Sequence, residues 1–299
     1  MKKIFGFSLI IATSYVILSN SALAGTITLA DGGRCEGEIS SGDLNGKAVC
    51  TFANGDRYEG NFKEGKKQGQ GKYTFAEGGY YEGEFQAEQI EGKGIRLYAD
   101  GDRYEGQFQA GQPQGQGVYS LSNGTRYEGE FANGLPNGKG VFIYTNGDRC
   151  QGQIKDSQLI GEGICTYANN HRYEGTLNKG QPNGKGIYTF ANGNKYEGTF
   201  VGGKMEGSGL YVFANGNRYE GQMKDGQFNG KGIFLFANGD RCQGDFQASQ
   251  LQGQAICDYK NGDTYQGGFQ KGQKQGKGIY TFADGTKVEG TWNNNEYEK

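Results

Sequence analysis

Asn54-Gly55-Asp56-Arg57-Tyr58-Glu59-Gly60-Asn61-Phe62-Lys63-Glu64-Gly65, with Gly69, Gly71, Tyr73 and Phe75 behind it, is the stretch that decides the fold. Tyr58, Gly60 and Phe62 alternate with polar residues, the two-residue period of a strand with unlike faces. Gly71, Tyr73 and Phe75 alternate in the same way. The two runs predict a β-hairpin, joined by a loop of about six residues that holds Gly65. Working outward, a Gly preceded by an acid or amide recurs at 37, 60, 83, 106, 129, 152, 175, 198, 221, 244, 267 and 290, always 23 residues on. Twelve copies without an insertion mean a repeat architecture, in which each unit buries its apolar face against its neighbours. The expected fold is all-β: an elongated single-layer antiparallel sheet of successive hairpins.

Composition agrees. Of 299 residues 57 are Gly and only 3 Pro, while 20 are Tyr, 18 Phe and one Trp. Glycine does not recur every third residue, which excludes collagen, and so many aromatics exclude a disordered linker. Lys and Arg number 31 against 33 Asp and Glu, so a nucleic-acid partner is not indicated.

Asn-Gly or Asp-Gly closes most copies, as at 54–55, 146–147, 192–193 and 284–285. A two-residue turn there would put Phe75 and Tyr81 on opposite faces. A three-residue loop with Gly in the left-handed region keeps the rings together, and is the expected turn.

Six cysteines stand at 35, 50, 150, 165, 242 and 257, paired at a separation of 15. Cys35, Cys150 and Cys242 replace the Tyr two places before the reference Gly. Cys50, Cys165 and Cys257 replace an aromatic thirteen places after it. Two positions that change together three times face each other, so Gly60 lies opposite Gly71. That register also sets Glu38, Glu84 and Glu130 against Lys47, Lys93 and Lys139, as charge pairing favours. Three disulfides follow, Cys35–Cys50, Cys150–Cys165 and Cys242–Cys257. Metal ligation is the alternative, but no C-x-x-C spacing occurs and the sole His, His171, stands apart.

Stacked hairpins make columns. Tyr58, Tyr81, Tyr104, Tyr127, Tyr173, Tyr196 and Tyr219 form one; Phe62, Phe85, Phe108, Phe131 and Phe200 belong to another, with glycines between. Two roles are open for them: rings leaning over glycines to complete a thin core, or an aromatic face that binds a ligand. These twelve residues are the candidate binding residues. The other face carries Arg57, Arg103, Arg126 and Arg172 with Glu59, Glu105, Glu128 and Glu174 two places on, a solvated array of ion pairs.

Lys2 and Lys3, the apolar run Ile4–Leu18 and Ala22-Leu23-Ala24 have the form of a bacterial-type signal peptide over residues 1–24. The repeat domain then spans 25–299, and the expected location is periplasmic or extracellular.

Tyr58-Glu59-Gly60-Asn61-Phe62-Lys63-Glu64-Gly65 with Gly69-Gln70-Gly71 resembles the MORN repeat, and all twelve copies fit. The chain departs from it in carrying Phe, Ile, Leu or Met, except at Trp292, where the family often has Trp. It also carries Gln68, Asn137, Asn183, Asn229 or Gln275 where the family often has His. The resemblance implies a sheet of successive hairpins that serves as a protein-interaction or membrane-associated module. Motifs for nucleophilic, metal or phosphate chemistry are absent. His171 occupies a turn position held elsewhere by Asp56, Asp102 or Asp148. The expectation is a scaffold without enzyme activity, cofactor or metal, binding a protein or envelope component. Glycan or lipid binding is the alternative, lipid being weakened by the lack of a polybasic patch, and self-association stays open.

Overall fold

The computed structural model describes residues 23–298, so all but the end of the expected signal segment lies outside the described residues. By packing the chain divides into a unit ending at Glu91 and a unit of Gly92–Lys299. In the first, strands Leu23–Thr28, Arg34–Ser40, Asp43–Thr51, Arg57–Lys63, Lys66–Thr74 and Tyr80–Gln86 each pair antiparallel with the next. The second repeats the pattern from Gln89–Leu97 to Glu296–Glu298. Each unit is an open sheet of successive hairpins, and no helix occurs among the described residues.

One copy consists of a seven-residue strand such as Arg57–Lys63, a two-residue turn, a nine-residue strand such as Lys66–Thr74, and a linking loop. The linking loop is the three-residue type. Phe52 N–H donates to Asp56 O and Gly55 N–H to Phe52 O, both 2.9 Å, with Gly55 at φ 90°. Tyr73 consequently faces Tyr81 across the strands.

The hairpin loop differs from expectation. Glu64 and Gly65 alone make the turn, at φ 50° and 72°, and both strands run on to it. Both residues in the left-handed region define the tight turn whose twist suits a hairpin. What looked like loop is a bulge. Gly60 pairs with Gly71 but Phe62 pairs with Lys67, so Gln68, Gly69 and Gln70 stand against Asn61 alone. The bulge also corrects the expected charge ladder: Glu130 does not sit squarely against the Lys139 side chain, and its carboxylate accepts from the Lys139 backbone N–H at 3.0 Å.

Each tip is tied to the hairpin before it, as Gly65 N–H to Leu44 O (3.0 Å) and Gly134 N–H to Pro113 O (3.0 Å). In three of the four copies where the second turn residue is not Gly, its side chain serves the earlier strand too. Ser249 Oγ accepts from Phe228 N–H and Asn295 Oδ1 from Lys274 N–H. All three prolines, Pro113, Pro136 and Pro182, occupy that same position, where they bring no N–H to satisfy.

The core is the tyrosine column. Tyr58, Tyr81, Tyr104, Tyr173, Tyr196, Tyr219 and Tyr265 are 0% exposed and Tyr127 1%. Each ring lies over a glycine pair: a Cβ on Gly117 would stand 2.5 Å from Tyr104 Cε2 and Oη. The hydroxyl donates to the carbonyl three residues on, Tyr104 to Gln107 at 2.9 Å and Tyr127 to Glu130 at 2.9 Å. Phenylalanines close over the rings edge-on. Phe108 and Phe131 lie 5.0 and 4.8 Å from Tyr104, at 87° and 74°.

Where Cys replaces Tyr, another residue must cover the glycines. Leu159 and Leu251 reach over Gly152 and Gly244, at 2% and 7% exposure, and Leu44 is buried at the same position at 4%. A Cβ on Gly152 would meet Leu159 Cδ1 at 3.0 Å. Those three copies are the ones with Leu seven places after the reference Gly, a covariation visible in the sequence and not read from it. The disulfides join directly opposed residues, Cys35–Cys50, Cys150–Cys165 and Cys242–Cys257, at Cα separations of 4.0–4.1 Å.

Candidate interaction surfaces

The residues expected to bind a ligand are core. Tyr58, Phe62, Tyr81, Phe85, Tyr104, Phe108, Tyr127, Phe131, Tyr173, Tyr196, Phe200 and Tyr219 are all buried, and Tyr265 and Phe269 join them. Of the two roles open to these rings the structure takes the packing one, because glycines without side chains leave a ring-sized gap in a one-layer sheet. Burial pushes the hydroxyls of Tyr58, Tyr104, Tyr127, Tyr173 and Tyr219 up to about 12. Such buried rings offer no face to a partner.

Other aromatics take the surface. The first residue of each linking loop and the aromatic two places before it interleave between copies. From Tyr167 the run goes to Tyr188 (5.9 Å), Phe190 (4.8), Tyr211 (5.8), Phe213 (4.7), Phe234 (5.8) and Phe236 (4.7). Shorter runs are Phe52–Tyr73–Phe75 in the first unit and Tyr259–Tyr280–Phe282 in the second. Most of these rings are half-buried, while Tyr144, Phe236 and Phe282 are 36%, 40% and 42% exposed. Sequence reading missed this ladder as a surface because it shares a face with the tyrosine column; only the three-residue loop carries it out to the edge.

The ladder is held by a clasp between copies. Asp56 Oδ2 accepts from Tyr73 Oη at 2.6 Å, and Oδ1 from Ala76 N–H at 2.8 Å. Asp102 does the same for Tyr119 and Ser122, Asp263 for Tyr280 and Ala283. The Tyr73 hydroxyl and the Ala76 amide hold the Asp56 carboxyl below the usual carboxylate range. His171 fills this position with Nδ1 2.8 Å from Tyr188 Oη. It is a variant of the clasp, as its turn position suggests.

Near the end of the second unit, Lys274 Nζ lies 4.6–5.2 Å from the ring centres of Tyr259, Tyr265, Tyr280 and Trp292. This cation site is filled by the chain's own lysine, whose ammonium burial disfavours.

The opposite face is a paved trough. In the second unit one section of about 1030 Å³ is floored by Gly117, Gly129, Gly140, Gly152 and Gly163 and bordered by Val118, Val141 and Ile164. Arg126–Glu128 (3.2 Å) and Arg172–Glu174 (2.6 Å) are among its exposed pairs. Exposed pairs of this kind contribute little to stability. Among the described residues no three His, Cys, Asp or Glu side chains converge to hold a metal ion.

The family model of the MORN repeat matches eleven consecutive segments, 35–57, 58–80, 81–103, 104–126, 127–149, 150–172, 173–195, 196–218, 219–241, 242–264 and 265–287. Comparison with curated proteins returns no match. Among solved structures, the chain is similar to the TCP domain of Drosophila melanogaster SAS-4 in complex with a proline-rich motif. That match has 19% identity and a TM-score of 0.32, covering 67% of this chain and 90% of that one. The TCP10 domain of Danio rerio CPAP matches at 12% identity and a TM-score of 0.25, covering 90% and 100%. Virginiamycin B lyase from Staphylococcus aureus matches at 11% and 0.15, covering 92% and 86%.

Proposed function

The chain belongs to the MORN-repeat family, and from that premise we propose that it is a non-enzymatic scaffold that works outside the cytoplasm. It holds a protein or another component of the cell envelope along its repeated surface. The observation that carries this reading is the aromatic ladder, which returns in copy after copy on an exposed edge. Repetition of equivalent rings supplies contact area and multivalency, whereas catalysis needs one distinct constellation of groups. Three cross-strand disulfides are compatible with an oxidising compartment. The signal-like start supports export, with Gly25 as the first residue of the processed chain.

The test is retention from envelope extract on the exported, full-length protein, with its N-terminus checked by intact mass. The expected result is a specific partner that is lost when Tyr144, Phe236 and Phe282 are changed to Ser, and a chain that starts at Gly25. Retention that ignores the ladder, or an uncleaved chain alone, overturns the reading.

A further inference from the structure

The ladder is not uniform, and its longest run coincides with a change in chemistry. At the clasp position the second unit carries Asp148, then His171, Asn194 and Asn217, then Asp240. Three consecutive copies therefore lack the carboxylate, and the unbroken seven-ring run from Tyr167 to Phe236 lies along them.

The loss of the carboxylate also releases a donor. In the aspartate copies the neighbouring loop Asn spends its Nδ2 on the clasp, as Asn54 does on Asp56 (2.9 Å), Asn146 on Asp148 (2.9 Å) and Asn238 on Asp240 (2.8 Å). In the asparagine copies Asn192 and Asn215 still cap their loops, Oδ1 accepting from Asn194 N–H and Asn217 N–H at 3.0 Å. Their Nδ2 groups have no partner among the described residues, and both side chains stand at exposed positions. Two of the run's three tyrosine hydroxyls are meanwhile tied down, Tyr188 to His171 and Tyr211 to Asn194. What remains on the surface is ring edge and face, amide donors, and no carboxylate at the clasp.

We propose that this run, Tyr167 to Phe236 with Asn192 and Asn215, is a subsite for a neutral oligosaccharide. The proposal rests on the scaffold reading and names the class of envelope component it takes. A pyranose presents an apolar C–H face that packs on an aromatic ring, and hydroxyls that accept from amide N–H groups. A charged polymer finds no complement at this clasp. Equivalent rings recur every two strands, about 9.5 Å apart, so an extended sugar chain lying along the ladder meets the same contacts repeatedly.

The experiment is calorimetric titration of the exported, full-length protein with two neutral β-1,4-linked probes, a hexamer of N-acetylglucosamine and cellohexaose. Polygalacturonate of equal length is the charged arm. Phe236→Ser removes an exposed ring of the run, and Tyr297→Ser an equally exposed ring outside the ladder. Asn192→Asp with Asn215→Asp keeps the loop acceptor and removes the donor. At least one neutral hexamer should bind, and Phe236→Ser and the Asn pair should each weaken it by about tenfold. Tyr297→Ser should leave it unchanged. Absence of neutral binding, equal loss in Tyr297→Ser, or tighter binding of polygalacturonate overturns the assignment. If no sugar binds while an envelope protein is still retained on the ladder, this subsite is wrong and the scaffold stands. If neither is held, both fall.

Discussion

Gly186→Ala should loosen its hairpin by more than its one methyl suggests. The new Cβ would stand 2.5 Å from Tyr173 Cε2 and Oη and 2.6 Å from Cζ, and the Tyr173 ring is wholly buried. The ring must lift. It then gives up the 2.7 Å bond to Thr176 O, worth about 1 kcal/mol, and the edge-on contact with Phe200 at 5.1 Å, worth about another. With strain from overpacking, the cost comes to roughly 2–4 kcal/mol. Because repeat arrays need not unfold in one step, the assay is native-state hydrogen exchange of amides in Arg172–Asn178 and Gln181–Thr189. They should exchange about 30-fold to several hundred-fold faster. In Tyr173→Ala the obstacle is gone, so adding Gly186→Ala should cost almost nothing more. Wild-type exchange in Gly186→Ala, or strictly additive effects in the double variant, would refute the idea that the ring occupies the glycine's missing side chain.

Other outcomes follow from the same geometry. Peptide mapping without reductant should return 35–50, 150–165 and 242–257, and Cys150→Ser with Cys165→Ser should cost about 3 kcal/mol or less; a cross-link between copies would break the register. The buried tyrosines have folded values raised from about 10 toward about 12. Their contribution is therefore complete below about pH 10 and lost as pH rises toward 12, so tyrosinate absorbance should lag free tyrosine and rise with unfolding. The carboxyls of Asp56, Asp102 and Asp263 are lowered by their amide and hydroxyl donors. Clasp stability is thus present above the usual Asp range and lost as pH falls through the depressed values. Asp102→Asn should flatten that acid limb, and His171→Asp should slow exchange of the Ala191 amide by supplying the second acceptor.

Much of this architecture was legible in the sequence, for identifiable reasons. The 23-residue interval of glycines and the paired Cys substitutions carry the hairpin, its register and the disulfides, because covarying neighbours reveal contact. Parity alone selected the three-residue loop. The two-residue turn was not legible, since Glu64, Ala87 and Lys179 take left-handed backbone that their identities do not announce. The bulge at Gly69 hid behind the same blind spot, and the Glu130–Lys139 side-chain pairing dissolved with it. The burial of the candidate binding rings was not legible because alternation tells which face a ring is on, not whether another ring covers it. Tyr104 and Tyr119 share a face, yet the first is sealed by Phe108 and Phe131 while the second stands half-open at the edge. The clasp had a signal: Asp or Asn two places after Asn or Asp, with Tyr seventeen places later.

The division between sealed column and open edge is the claim on which the functional reading stands, and residue-resolved nitration of the folded, disulfide-intact protein tests it most directly. Tyr144 and Tyr297, 36% and 40% exposed, should be modified, while Tyr58, Tyr104, Tyr127, Tyr173, Tyr196 and Tyr219 should stay silent until the protein is unfolded. Column tyrosines that react as fast as Tyr144 in the folded protein would contradict the account.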